Sequence, residues 1–529
     1  MTVPAAAPVR DTDGYRPPKV TGLADLLDRQ VRERPYARAL IVGAGRVPLS
    51  YRALAALADG VAARLAATGL RRGDAIGLIG ANTAEFVAAL LGAARAGLVV
   101  APLDPALPGP ELSARLDALG APAVLVGPPA ADAPPVAAQQ VPVWPLRVDA
   151  SRAGTASVVL DTGAPIGQVR GAERELLPDD ALVLYTAGTT GRARTVPLTH
   201  ANVAASVRGI CATYALGPGD ATVAVMPFFH GHGLFAALLA SLAGGGCVLL
   251  PARGRFCART FWDDMRAAGA TWFTAVPTVH EILLDRAEFE YPVPQEPPLR
   301  FVRSCSAPLN AATQRALERT FGAPLLAAYG TTESAHQATS EPLQRHGPLK
   351  QTSVGRPTGV DLRVADRDGR PCPAGVRGEV WLRGPTVARG YLAEPARTAR
   401  SFTGGWLRTG DLGYLDADGC LSLTGRLDNI IDRGGEKISP EHVEDVLAGC
   451  PGVAEAAVFA VPDSVYGQRV GAAVTVHEGE TLGPEEILRH CRDRLAAFEV
   501  PERLELVAAL PRTAKGGLDR GAVAARYVP

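Results

Sequence analysis

The stretch LVLYTAGTTGRARTVPLTHANV, residues 182–203, sets a Gly/Thr-rich turn between an apolar run and a segment that Thr199 is suited to cap as a helix. Glycine lets backbone N–H groups approach phosphate oxygens, and threonine hydroxyls add further donors. The turn is not a Walker loop, because no Gly-Lys-Ser/Thr follows at the required spacing. Taken alone it reads as readily as an ordinary turn. Four more stretches hold residues with chemical potential: AAYGTTES (327–334), WLRTGDLGYLDADG (406–419), LTGRLDNIIDRGGEKISPEHVE (423–444) and LPRTAKGGLDR (510–520). Singly, Asp411 is equally a turn aspartate, His230 a satisfied loop histidine, and Glu333 a helix-start residue.

The elements that must position these residues read as α/β. GLADLLDRQVRE places Leu23, Leu26, Leu27 and Val31 on one helical face. Ser50 can cap the next helix, where Leu54, Leu57, Val61 and Leu65 recur at helical spacing. The runs AIGLIG (75–80) and LVVAPL (98–103) read as buried strands between helices, the alternation expected of layered α/β folds. Residues 127–165, rich in Pro and Ala, read as a surface excursion, and YPVPQEPPL (291–299) as a loop. A second compact unit begins near Gly425, with strands in AEAAVFAVP and GAAVTVH and a helix from Pro484 to Leu495. The expected domains are residues 1–425 and 426–529, a large multi-sheet part followed by a small mobile α+β part.

Composition narrows the function. At 529 residues the chain exceeds what one core usually supports. A net charge of +0 gives no global electrostatic case for nucleic acid or an anionic membrane. The eight cysteines are scattered without a Cys-x-x-Cys pair, which favours free thiols in a reducing cytoplasm over a zinc site. The N-terminus carries no apolar signal segment. The uncharged run GHGLFAALLASLAGGGCVLLPA (231–252) is broken by Gly244, Gly245 and Gly246, so it splits into a buried helix and strand and is not expected to span a membrane.

The five stretches, in this order between residues 182 and 520, resemble the adenylate-forming superfamily of acyl-CoA synthetases, carrier-loading adenylation domains and luciferases, and the resemblance covers nearly the whole chain. PFFHGHGL (227–234), RSCSAPL (303–309) and YGTTESAHQATS (329–340) look most like the acyl-CoA and oxalyl-CoA ligase branch. The resemblance implies two steps. A carboxylate attacks the α-phosphate of ATP, giving an acyl-adenylate and pyrophosphate; the thiol of CoA then attacks the acyl carbonyl and expels AMP. A small C-terminal domain rotates between them.

The resemblance also implies roles. Thr186, Gly188, Thr189, Thr190, Gly191 and Arg194 line the phosphate loop, and Glu333 holds Mg²⁺ through hard carboxylate oxygen. Tyr329 faces the adenine, with Ser306, Ala307, Gly330, Thr331 and Thr332 along the nucleotide; Asp411 accepts from the ribose and Arg426 donates to it. His230, Gly231, Ser304, Cys305, Gly330, Thr331 and His336 border the acyl group. Asp428 is the hinge, and Gly434, Gly435, Glu436 and Lys437 flank the CoA tunnel. The small Gly231, Gly233, Ala236 and Ala237 either leave room for a bulky acid or pack helices.

Two places depart from the family. In the loop, Ala187 replaces a serine, Arg194 a lysine and Thr195 a glycine. With 50 arginines against four lysines in the chain, the Arg exchange follows a general bias. In the last motif Pro511, Arg512, Thr513 and Gly516 match, but the catalytic lysine position holds Gly517. In the family that lysine bridges carboxylate and α-phosphate during adenylation and has swung away before thioester formation. The expectation is a ligase that uses a ready-made acyl-adenylate and CoA, supplied by a separate adenylating enzyme, a division of labour found in platensimycin- and platencin-type antibiotic biosynthesis. The alternatives are a complete ATP-dependent ligase in which Lys515, two residues away, fills the role, and a non-enzymatic scaffold that binds adenylate.

Overall fold

The computed structural model describes residues 15–128, 141–152, 155–163, 176–186, 194–291, 298–309, 311–343, 353–433, 436–463, 465–477, 479–512 and 518–527. It is a mixed α/β molecule with a large N-terminal part and a smaller C-terminal one. Among the described residues the strands form five sheets.

The largest sheet has seven strands. Val124–Val126, Ala75–Ile79, Val99–Leu103 and Asp180–Thr186 lie side by side and parallel, and Arg194–Thr199 closes one edge antiparallel. The strands Ala75–Ile79 and Val99–Leu103 are buried throughout, as strands covered on both faces must be. Ser50 caps Tyr51–Ala66 by accepting from the Ala53 amide, and Thr199 caps His200–Tyr214 with a full capping box. Residues 143–160 correct the reading of a surface excursion. They form the strands Val143–Arg152 and Thr155–Leu160, which extend this sheet and bury Trp144 and Leu146. Their alternation is hidden by Pro145, which sits where Val126 is its partner. Leu23, Leu26 and Leu27 are buried as expected, but in turns: the regular helix starts only at Asp28.

A second sheet aligns Trp272–Ala275, Phe301–Ser304 and Leu325–Tyr329 in parallel, then Thr339–Ser340 and Arg356–Pro357 antiparallel. The run 231–252 divides as expected. It forms a π-helix, His232–Leu239, an α-helical extension Ala240–Gly244, and the strand Cys247–Leu249. Among the described residues no helix is long and apolar enough to cross a membrane. An antiparallel sheet pairs Gly378–Arg383 with Trp406–Leu415, which in turn pairs with Leu421–Arg426. Beyond it, Val453–Asp463 and Gly467–Val476 pair over ten positions, and Pro440–Ala448 and Pro484–Arg492 add Val443, Leu447, Ile487 and Cys491 to a core of their own. All eight cysteines are free.

One buried ion pair ties the second sheet to the helix His200–Tyr214. Arg300 Nη1 lies 2.6 Å from Asp220 Oδ1, and its Nη2 donates to the Tyr214 carbonyl. Asp220 also accepts from Thr271 Oγ1 and the Gly217 amide. Removing one member strands a buried charge, so Asp220→Ala is expected to cost about 3–5 kcal/mol. Urea unfolding checks this as a lower midpoint at unchanged slope.

Candidate active site

The functional residues collect where parallel strands end. Thr186 closes Asp180–Thr186, Ser304 closes Phe301–Ser304, and Tyr329 closes Leu325–Tyr329. Carboxyl ends of parallel strands are where α/β sheets bind ligands, because the chain there leaves the sheet with free backbone groups. Thr186 Oγ1 is buried and has no hydrogen-bond partner among the described residues. Gly188, Thr189, Thr190 and Gly191 lie outside the described residues.

Residues 329–336 form a tight turn that distributes three groups. Thr331 caps the short 3₁₀ helix Thr332–Ser334, and a Cβ on Gly330 would stand 1.4 Å from the His336 carbonyl oxygen, so only glycine fits. On one side Tyr329 Oη donates to Asp411 Oδ2 at 2.5 Å, and Arg426 Nη1 donates to Asp411 Oδ1 at 2.5 Å. Asp411 and Arg426 face each other across the antiparallel pair that carries them. Burial raises the Asp411 carboxyl above the ordinary aspartate range, while the Arg426 guanidinium and the Tyr329 hydroxyl pull it back. Burial, then the adjoining carboxylate, pushes the Tyr329 phenol well above its usual value.

On a second side Tyr391 Oη donates to Glu333 Oε1 at 2.7 Å and accepts from Arg194 Nη1 at 3.4 Å. Tyr391 thereby connects the end of the phosphate loop to the candidate metal carboxylate. The Leu392 amide donates to the Thr195 carbonyl and the Ala388 amide to that of Glu333, so the backbone repeats the connection.

The third side is a recess lined by histidine. The rings of His232 and His336 stack 5.2 Å apart. His232 Nδ1 is 3.1 Å from Ser306 Oγ and its Nε2 is 2.6 Å from Thr274 Oγ1. Behind them lies Arg303, wholly buried. Ser306, Ala335 and His336 have positive φ, three of the six such non-glycine residues among those described. Backbone held in that region persists where surrounding structure over-determines it, and clusters at functional sites. Burial, reinforced by the Arg303 charge, lowers both His232 and His336 well below the ordinary histidine range.

Of the remaining sequence candidates, His230 stands edge-on to Phe229 at the mouth of the π-helix, and a Cβ on Gly231 would touch His336 Cβ at 3.4 Å. Cys305 is buried beside Ser304, whose Oγ has no partner among the described residues, and Ala307 is exposed. Gly233 meets the Met226 and Pro227 carbonyls, and Ala236 and Ala237 are fully buried, so these small residues serve close packing. Asp428 falls in the 3₁₀ turn Leu427–Asn429, and Glu436 and Lys437 in the strand Glu436–Ile438; the side chains of Asp428 and Lys437 lie outside the described residues, as do Gly434, Gly435, Lys515 and Gly517. The sequence reading placed the acid pocket at residues 230–234, 304–306 and 330–336, which takes in His232, and missed Thr274, Arg303 and Tyr391. A charged residue inside the apolar FVRS strand was the available signal.

A buried carboxylate–guanidinium pair and an adjoining histidine-lined recess, gathered at strand ends of this multi-sheet scaffold, are the features of an enzyme site for small polar molecules. The AMP-binding enzyme family model matches residues 27–392, and the AMP-binding enzyme C-terminal domain matches residues 442–516. An oxalate–CoA ligase of Arabidopsis thaliana is 42% identical over 510 residues, covering 96% of this chain and 98% of that protein. A sulfoacetate–CoA ligase of Cupriavidus necator is 36% identical, covering 89% and 91%. The structure of ATP-bound MatB from Rhodopseudomonas palustris superposes with a TM-score of 0.82 at 29% identity, covering 96% of this chain and 99% of that one. The chain belongs to the AMP-binding, adenylate-forming superfamily and, within it, to the acid–CoA ligases.

If AMP ribose hydroxyls donate to Asp411, affinity depends on its charge. A raised carboxyl takes up its proton at higher pH than an ordinary aspartate, so acceptance is lost earlier on acidification. Calorimetric AMP affinity should be flat near neutrality and fall as pH descends toward a midpoint above about 3.9. Asp411→Asn should bind about tenfold or more weakly and lack that fall.

Proposed function

We propose that this ligase forms a thioester from an acyl-adenylate and CoA, releasing AMP, and that its ATP-dependent adenylation step is lost or strongly impaired. The observation that carries the proposal is Gly517, standing where the family pattern has the adenylating lysine. Adenylation brings a carboxylate to a polyphosphate, two anions whose repulsion a cation must offset. Loss of one preorganised donor from such a transition state costs about 10²–10³ in rate. Thioester formation needs a bound adenylate, an electrophilic acyl carbon and a thiolate. The sulfur adds to that carbon, the C–O bond to phosphate breaks, and AMP departs with the electron pair.

In this reading Tyr329, Asp411 and Arg426 bind the nucleoside, with Thr186, Arg194 and the loop between them on the phosphate. Ser304, Cys305, Ser306, His230, Gly231 and His336 border the acyl group. Residues 434–437 flank the CoA path, and Asp428 is the hinge between domains of residues 1–425 and 426–529. The intact nucleoside cluster supports the adenylate as the ligand this protein receives. Mg²⁺ belongs to the adenylation step. Glu333 offers it one carboxylate, and among the described residues no group of three acidic or metal-ligating side chains surrounds it, which fits an ion held mainly by phosphate oxygens. The free thiols fit a cytoplasmic protein, and a separate adenylating enzyme supplies the substrate.

A complete ATP-dependent ligase is the second reading. It is favoured by Lys515, two residues from the vacated position, and by the extent of identity to an oxalate–CoA ligase.

A two-arm assay separates them. Acid, ATP and CoA go in one arm, synthetic acyl-adenylate and CoA in the other. Thioester in the second arm alone is the expected outcome; acid-dependent pyrophosphate exchange at ordinary ligase rates would establish the second reading instead. Gly517→Lys should raise exchange by about 10²-fold or more.

A further inference from the structure

Arg303 is buried without a carboxylate partner in its hydrogen-bond set. Nε donates to Tyr214 Oη at 2.8 Å, and Nη1 reaches Thr274 Oγ1 at 3.1 Å and His232 Nε2 at 3.3 Å. Nη2 reaches His336 Nε2 at 3.1 Å and Gln337 Oε1 at 3.0 Å. A guanidinium has only hydrogens to give and no acceptor. Each partner atom must therefore present a lone pair.

For the two histidines this decides where the proton sits. Nε2 of each is an acceptor, so a neutral ring carries its hydrogen on Nδ1. His232 Nε2 also lies 2.6 Å from Thr274 Oγ1, which itself accepts from Arg303. Its Nδ1–H then donates to Ser306 Oγ. His336 Nδ1–H has no partner among the described residues, and this ring lies against Gly231, next to His230. It is a preorganised donor left for a ligand.

We propose that Arg303 is a positioning residue that locks His232 and His336 as Nδ1–H donors, so that the acid selected here carries a hydrogen-bond-accepting oxygen beside its reacting carbonyl. The second half rests on the ligase reading above; the first does not. A buried cation balanced only by neutral acceptors also favours an acid with an oxygen-rich or anionic end over an alkyl one. The groups facing His232 are Arg303, His336, His280 and His230, none of them acidic, and the charge facing His336 is that of Arg303. Nothing in that set returns either ring to the cationic form near neutrality.

The first arm needs no variant. Long-range ¹H–¹⁵N correlation of the wild-type protein reads the tautomer of each of its nine histidines, and His232→Gln and His336→Gln assign the two signals. Both rings are expected as neutral Nδ1–H forms from about pH 8 down to about pH 5.5. A proton on Nε2 of either ring, or titration of either ring in that interval, overturns the proposal. Arg303→Met should release at least one ring to the other tautomer; unchanged tautomers in a folded Arg303→Met protein reduce Arg303 to a packing role and also overturn it.

The second arm measures binding of acyl-sulfamoyl adenosines that mimic the adenylate, with butyryl and malonyl acyl groups as probes. The malonyl probe should bind about tenfold tighter or more, and Arg303→Met should erase that preference. Equal affinity for the two in wild type overturns the acid assignment. Failure of both probes to bind overturns the ligase reading as well, while the tautomer result stands on its own.

Discussion

The contact of Gly330 with the His336 carbonyl governs this site. A chain that must reverse within seven residues, with no room for a single methyl group, sends Tyr329, Glu333 and His336 in three directions. Tyr329 goes to Asp411, Glu333 to Tyr391, and His336 to Arg303. Three chemical tasks are thus referenced to one short, stiff turn at the end of one strand. The cost of holding Ala335 and His336 at positive φ is carried by the Thr331–Ser334 capping box and by the backbone bond from Ala338 to Tyr329.

Electrostatics separates the subsites. At the nucleoside end a buried carboxylate is paired with a guanidinium, which suits a ligand that brings neutral hydroxyls. At the acyl end a buried guanidinium has only neutral acceptors, which leaves the recess positive.

Much of this was legible because it is local. The caps at Ser50 and Thr199, the apolar runs at 75–80 and 98–103, and the ordered motifs depend on residues a few positions apart. The strands at 143–160 were not legible, since Pro145 and flanking alanines mask their alternation. The arginine and threonine behind the histidine recess were not legible either. His232, Thr274, Arg303 and His336 come from four elements, and no pattern in the chain announces that a guanidinium will reach all three others. Tyr391 was missed for the same reason, lying 58 residues from the carboxylate it serves.

The π-helix His232–Leu239 has a consequence for how this site can diversify. Wider winding accommodates one residue more than an α-helix of the same rise. Deleting one residue there would let the segment tighten to α-winding with both of its ends still facing as they do now, because the wider turn had absorbed that residue. The wall that this segment builds is therefore adjustable by indel as well as by substitution, with its ends left in place.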